Sequence, residues 1–146
     1  MSADDFAQPG VPVKVGAQEV DPQNDQVVFL PRCAFRGDLG TSAADLWVAN
    51  SMTSHPNSLV GGYLLSIHLT NHDSVARTFT LYAFESGGSA AANRTLFNAV
   101  SLDPNQTFIR TYEGETMPFD AGEKLQGLAS AANAVSCQIR GKDATG

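Results

Sequence analysis

The residues from which reaction chemistry or ligand capture would have to be built are three histidines, His55, His68 and His72, two cysteines, Cys33 and Cys137, and one tryptophan, Trp47. His68 and His72 share a parity. On an extended strand, however, they stand about 13 Å apart at ~3.3 Å per residue, too far to hold one ion between them. A metal site inside one subunit is therefore not expected, while a site on a symmetry axis, with one histidine from each of several subunits, stays open. Nucleophilic catalysis needs a serine or cysteine beside a base, and no serine here occupies a nucleophile elbow. Gly87-Gly88 has no Lys-Ser or Lys-Thr after it, and Gly61-Gly62 leads into a strand instead of a helix, so both pairs read as turns or bulges and not as phosphate loops. The expectation is a protein that is not an enzyme and carries no cofactor.

Cys137 lies in phase with Val135 and Ile139 and reads as a small buried hydrophobe. Cys33 and Cys137 would pair only if the fold brought them together, and a cytosolic site of synthesis argues against a disulfide. Trp47, Tyr63, Tyr82 and Tyr112 are the residues from which a sugar-stacking platform could be made, with packing in a core or subunit interface as the competing role. Asn93-Arg94-Thr95 and Asn105-Gln106-Thr107 match the glycosylation pattern, which has no use without a secretory signal.

What must position these groups is one compact domain. At 146 residues, a chain buries roughly 68% of its unfolded surface, enough for a core that needs neither metal nor disulfides. The formal charge of −6 argues against direct binding of nucleic acid, whose phosphates call for a basic face. No apolar run approaches the ~18 residues that span a bilayer, so no membrane partner is expected and synthesis is placed in the cytosol. Much of the charge sits in residues 1–26, where Asp4, Asp5, Glu19, Asp21 and Asp25 face only Lys14. With Pro9, Pro12 and Pro22 and a single aromatic, Phe6, that stretch has too little apolar surface to offset the entropy of ordering. It reads as a flexible or extended acidic arm, in which Pro12-Val13-Lys14-Val15 could add a short edge strand. Residues 27–146 form the domain proper.

There the pattern has period two. Tyr63, Leu65, Ile67 and Leu69 are expected on one face of a strand, with Ser66, His68 and Thr70 on the other. Thr78–Phe84 repeats the alternation with Phe79, Leu81 and Ala83 inward, and Asn71–Ser74 supplies a turn, which predicts an antiparallel hairpin. Further strands are expected at Leu96–Leu102, Thr107–Tyr112, Thr116–Phe119, Lys124–Ala129 and Val135–Arg140, separated by Asp103-Pro104-Asn105, Glu113-Gly114 and Asp120-Ala121-Gly122. Val27–Leu30 and Leu46–Ala49 are shorter candidates, and Arg36–Gly40 reads as a loop. No amphipathic helix is evident. The fold class is all-β: an antiparallel β-sandwich, Ig-like or jelly-roll-like, of about eight strands with an extended N-terminal arm.

Three stretches within residues 46–141 resemble small structural proteins of tailed bacteriophages and phage-like particles. Leu65–Asp73 followed by Ala76–Tyr82 looks like that family's strand, Asn turn and strand. Leu96–Thr107 looks like its next strand and polar turn. Phe119–Ser130 leading to Val135–Gly141 looks like its closing pattern, with Glu123 where Asp is more usual. The resemblance covers about two thirds of the chain and leaves residues 1–45 outside. It implies a virion location after synthesis in the bacterial host cytoplasm, with head decoration, neck or collar, and tail as possible positions. It implies other capsid, portal, neck or tail proteins as partners, and it brings no catalytic residues.

Composition and resemblance converge on a homo-oligomer assembled in many symmetric copies, held by apolar patches, edge-strand pairing and arm exchange. The contact residues expected on this reading are Phe6, Val13 and Val15 of the arm, Trp47 within the Thr41–Ser58 region, and Tyr82 and Phe84 as outward aromatics. A carbohydrate- or receptor-binding module of the particle is the alternative.

Overall fold

A computed structural model describes residues 28–50 and 60–144. Within them lie nine strands: β1 (Phe29–Asp38), β2 (Ala44–Val48), β3 (Val60–Asn71), β4 (Arg77–Phe84), β5 (Thr95–Leu102), β6 (Thr107–Thr111), β7 (Pro118–Asp120), β8 (Lys124–Ala129) and β9 (Val135–Ala144). The one helical element among the described residues is a 3₁₀ turn, Ala92–Arg94. All strand pairs are antiparallel. They form two sheets, one ordered β1-β9-β3-β6 with β7 also on β3, the other ordered β2-β8-β4-β5. With the short β7 set aside, successive strands interleave between the sheets as two Greek keys, which is a jelly roll and not the Ig arrangement.

The core lies between the sheets. Leu64, Ile67 and Leu69 of β3 and Val135, Cys137 and Ile139 of β9 meet Phe79 and Leu81 of β4, Leu125 and Ala129 of β8, and Leu46 and Trp47 of β2. β-Branched, aromatic and leucine side chains at alternate positions account for this, since burial of one face is the chief gain that sheet formation offers.

Strand β3 does not keep one parity throughout. Its register against β9 slips between Leu64 and Ser66, where Leu64 pairs with Gly141 and Ser66 with Arg140. Leu65 is the extra residue of a bulge. Leu64, Ile67 and Leu69 are therefore the fully buried residues, while Tyr63 and Leu65 are half-buried. The uniform face expected for Tyr63, Leu65, Ile67 and Leu69 is corrected accordingly. The expected β3–β4 hairpin is also corrected: β3 pairs with β9, β6 and β7, while β4 pairs with β8 and β5 in the opposite sheet. The Asn71–Ser74 turn carries the chain across the sandwich instead of folding it back in plane. Arg36–Asp38, expected in a loop, extends β1.

Asn71 explains how that crossing is fixed. Its side chain is fully buried. Nδ2 donates to Val75 O at 2.9 Å and Leu102 O at 3.0 Å, and Oδ1 accepts from Asp73 N at 2.9 Å. One amide thereby ties the end of β3, the turn and the end of β5, with its polar atoms satisfied.

Gly61 and Gly62 serve close approach within β3. A Cβ on Gly62 would stand 2.7 Å from Trp47 Cζ2 and 2.6 Å from Lys142 O. The indole lies against this bare backbone and against Phe119, whose ring centroid is 4.8 Å away. The bulge reading of this pair holds, since the β3–β7 register shifts between Val60 and Gly62.

Candidate interaction surface

Alternation along β9 places Val135, Cys137, Ile139 and Gly141 inward, so Ser136, Gln138, Arg140 and Lys142 face outward. Cross-strand register extends these into rows over the outer face of the first sheet. Pro31, Lys142 and Tyr63 form one row; Cys33, Arg140 and Ser66 the next; Arg36, Gln138, His68 and Ile109 the third; Asp38, Ser136, Thr70 and Thr107 the last. Phe29 packs edge-on to Tyr63 at 4.9 Å and makes one end of the face apolar.

The charge on this face is one-sided. Four cations elsewhere are paired with carboxylates: Arg32 with Asp143, Arg77 with Asp73, Arg94 with Glu85 and Lys124 with Asp45. The pairs have electrostatic consequences. The Arg77 guanidinium, hydrogen-bonded to Asp73, holds that carboxyl below its ordinary range, and Arg94 does the same for Glu85. Arg36, Arg140 and Lys142 have no carboxylate within ion-pair distance among the described residues, and Arg140 reaches only the Gln138 side chain, at 3.4 Å. The acid at the end of the face, Asp38, is engaged by His72 at 2.9 Å. A sheet face with three cations that have no carboxylate partner among the described residues is suited to binding a carboxylate-bearing or otherwise anionic surface.

The sheet edges differ in how well they are protected. β1 carries Pro31 and a register shift between Cys33 and Phe35, β2 shifts between Asp45 and Trp47, and β5 shifts twice against β4. Such irregularities discourage a further strand from pairing. β6 runs against β3 without a shift from Thr107 to Thr111. Gln106 O and Tyr112 N are spent on β3, so alternation leaves the backbone groups of Thr107, Ile109 and Thr111 on the free side. Ile109 is 55% exposed. Phe108 and Phe97 pack beneath this edge, capped by the Arg110 guanidinium at 5.8 and 4.9 Å from the two ring centroids.

The contact residues read from sequence fall in different places. Phe6, Val13 and Val15 lie outside the described residues, as does His55 among the candidate histidines. Trp47 is 2% exposed and is corrected from a contact residue to a core anchor: Gly62 and Gly141 open a slot that its ring fills. Phe84 is 3% exposed, so it too is corrected from an exposed contact residue: β4 keeps an unbroken register with β8, which leaves Phe84 on the side away from Leu81, but it is buried there, outside the main core cluster. Tyr82 is half-buried on the second sheet. Within Thr41–Ser58, residues 51–58 lie outside the described residues, and Ala44–Val48 is strand β2. Since Trp47 is buried, Tyr63 is on the first sheet and Tyr82 is on the second, these aromatics form no common stacking platform.

Cys137 is 1% exposed, and burial pushes its thiol up to about 12. Both cysteines are free. Among the described residues no group of three or more His, Cys, Asp or Glu is placed to hold a metal ion, and no helix is long and apolar enough to cross a membrane.

The rows of the outer face were only partly visible in sequence. Arg140 has the outward parity within the expected strand. Lys142 lies beyond the expected strand end and Arg36 within the expected loop, so their alignment follows only from the register. Comparison with protein-family models, curated proteins and solved structures finds no match to this chain.

Proposed function

We propose that this chain is a non-enzymatic structural protein of a tailed phage particle, assembled in multiple symmetric copies as a head decoration or a neck or collar component. The observation that carries the reading is the pairing of a cationic sheet face, with Arg36, Arg140 and Lys142 brought together by the β1–β9 register, with a strand edge at β6 that runs without a register shift. Flat faces and open edges suit repeated protein–protein contact, in which each contact is weak and symmetry sums them. The double-sheet jelly roll is an architecture that viral shells use, although a fold by itself assigns no function. The resemblance of the β3–β4, β5 and β8–β9 stretches to small phage structural proteins supports the same reading. Its partners are further copies of the chain and other virion proteins, and its place is the virion.

Immunogold electron microscopy on particles from the producing lysate tests this. The expected result is gold at a repeated, symmetric position on the particle. Unlabelled particles, together with retention of the free protein on a glycan array, would replace the structural reading with a carbohydrate-binding one.

A further inference from the structure

Among the described sheet edges, β6 is the one built to accept a further strand. Its residues, Thr107-Phe108-Ile109-Arg110-Thr111, are mostly β-branched or aromatic, include no proline, and run on β3 without a register shift, so the devices that blunt an edge are missing. Arg110, the one charge, is folded over the Phe97 and Phe108 rings. Gln106 O and Tyr112 N are bound to β3. Alternation then leaves the N–H and C=O groups of Thr107, Ile109 and Thr111 on the outer side, where no described strand pairs with them. That set is symmetric about Ile109.

We propose that β6 pairs antiparallel with β6 of a second copy of this chain, across a two-fold axis through Ile109. In this register Ile109 meets its own counterpart and Thr107 meets the partner's Thr111, each as a hydrogen-bonded pair, so every free N–H and C=O of the edge finds a partner. On the outer face threonine lies against threonine, and Ile109, 55% exposed, is covered by its counterpart. On the inner face Phe108 stands opposite the partner's Arg110, with no like charges opposed. Neighbouring registers are worse. A shift of two residues one way sets Arg110 against its own counterpart, with like charges opposed. Two residues the other way, Thr111 meets the partner's Asn105, whose N–H is already bound to Asn71 O. A shift of one residue sets free backbone groups against groups bound to β3. A second copy is therefore favoured over a foreign strand because the edge complements itself in hydrogen bonding, charge and face at a single register. The contact is smaller than a standard interface, so free chains associate weakly and a particle holding many copies sums the contacts. The inference rests on the particle reading for its use, but the pairing is measured on the free chain, so its failure leaves the particle's copy number a separate question.

Sedimentation velocity on the full-length protein tests it, over about 10 μM to about 1 mM, where an interface below standard size associates. The expected result is a monomer–dimer equilibrium. Ile109→Lys and Ile109→Glu each set a charge against its like across the axis, and each should weaken dimerisation at least severalfold at low salt. Their thermal midpoints should match the wild type, because the side chain is largely exposed in the monomer. An equimolar mixture of the two variants brings opposite charges together across the axis and should associate severalfold more tightly than either variant alone. That gain should disappear at 1 M salt, where the screening length falls to about 3 Å. A mixture no tighter than its components would take residue 109 off the axis and overturn the proposal. A dimer indifferent to both substitutions would place the contact on another surface and overturn it as well. A chain monomeric throughout would overturn it and leave the edge to another segment of the same chain or to a different protein.

Discussion

Trp47 Nε1 donates a hydrogen bond of 2.7 Å to Asp143 Oδ1, joining β2 of one sheet to β9 of the other. The second carboxylate oxygen of Asp143 accepts from Arg32 Nε. One largely buried carboxylate thus receives an interior indole on one side and a solvent-facing guanidinium on the other. Trp47→Phe keeps most of the apolar volume and removes the indole donor. It should cost about 1–3 kcal/mol, the range for leaving a buried acceptor unpaired. Asp143→Asn retains an acceptor for Trp47 and loses mainly the half-exposed Arg32 pair, worth about 0–1 kcal/mol. Urea unfolding of the two variants checks the order, and an equal loss in both would contradict it.

Gly62 is the floor of the Trp47 slot. An alanine there meets a backbone carbonyl at 2.6 Å and the indole at 2.7 Å, and the carbonyl belongs to a paired strand that cannot move alone. Gly62→Ala should destabilise by about 1–3 kcal/mol, as overpacking does. Gly40→Ala, where an added Cβ meets nothing within 4 Å, should leave the thermal midpoint nearly unchanged.

Asn71→Ala removes one buried amide and strands Leu102 O in the interior, with Val75 O and Asp73 N also losing their partner at the part-buried turn. A loss of about 1–3 kcal/mol is expected from the buried acceptor left unsatisfied. Asn71→Asp should be no better at neutral pH, because a carboxylate oxygen would face the Leu102 carbonyl. Hydrogen exchange should show the Asn71–Val75 turn opening first in either variant.

Glu123 is held above the ordinary carboxyl range, chiefly by burial and then by the neighbouring charges of Asp120 and Glu85, against the lowering effect of its bond from Asp120 N. A carboxyl raised in the folded state binds its proton more readily there than in the unfolded chain. Its contribution therefore falls as pH rises through the unfolded value near 4.5 and on through the higher folded one. Glu123→Gln keeps an oxygen for Asp120 N and removes the charge. Thermal melts should show the variant equal to or slightly above the wild type at pH 7 and losing that advantage near pH 4. Asp73 and Glu85 act oppositely, since their depressed carboxyls lose stabilisation as pH falls.

With its thiol at about 12, Cys137 is almost wholly protonated at pH 8 and shielded from reagents. Iodoacetamide should modify Cys137 only after denaturant is added. Modification of the native protein at Cys137 would contradict its place between Val135 and Ile139 in the core.

Strand positions were largely legible because alternation and turn residues act locally. Lys124–Ala129 needed no revision, and Asp103-Pro104-Asn105 turns with Asn105 at φ 65°. What sequence could not carry was long-range pairing. Nothing in Tyr63–Thr70 announces that Leu65 is a bulge, because the slip is set by Gly141 and Arg140 on another strand. In sequence Trp47 reads as available for contact, because the slot that takes it is made by distant glycines at 62 and 141. The candidate face shows the same limit, since Arg36, Arg140 and Lys142 are neighbours only through the β1–β9–β3 register.

The central claim, that the protein works as a repeated part of a particle, is tested most directly by stoichiometry. Particles would be banded on a density gradient from the producing lysate and analysed by quantitative mass spectrometry, with copy number referenced to the major capsid protein. A structural component should co-band at a fixed ratio, in hundreds of copies for a head decoration or about a dozen for a neck or collar. Absence from the band, or a ratio that drifts from one preparation to the next, would contradict the account.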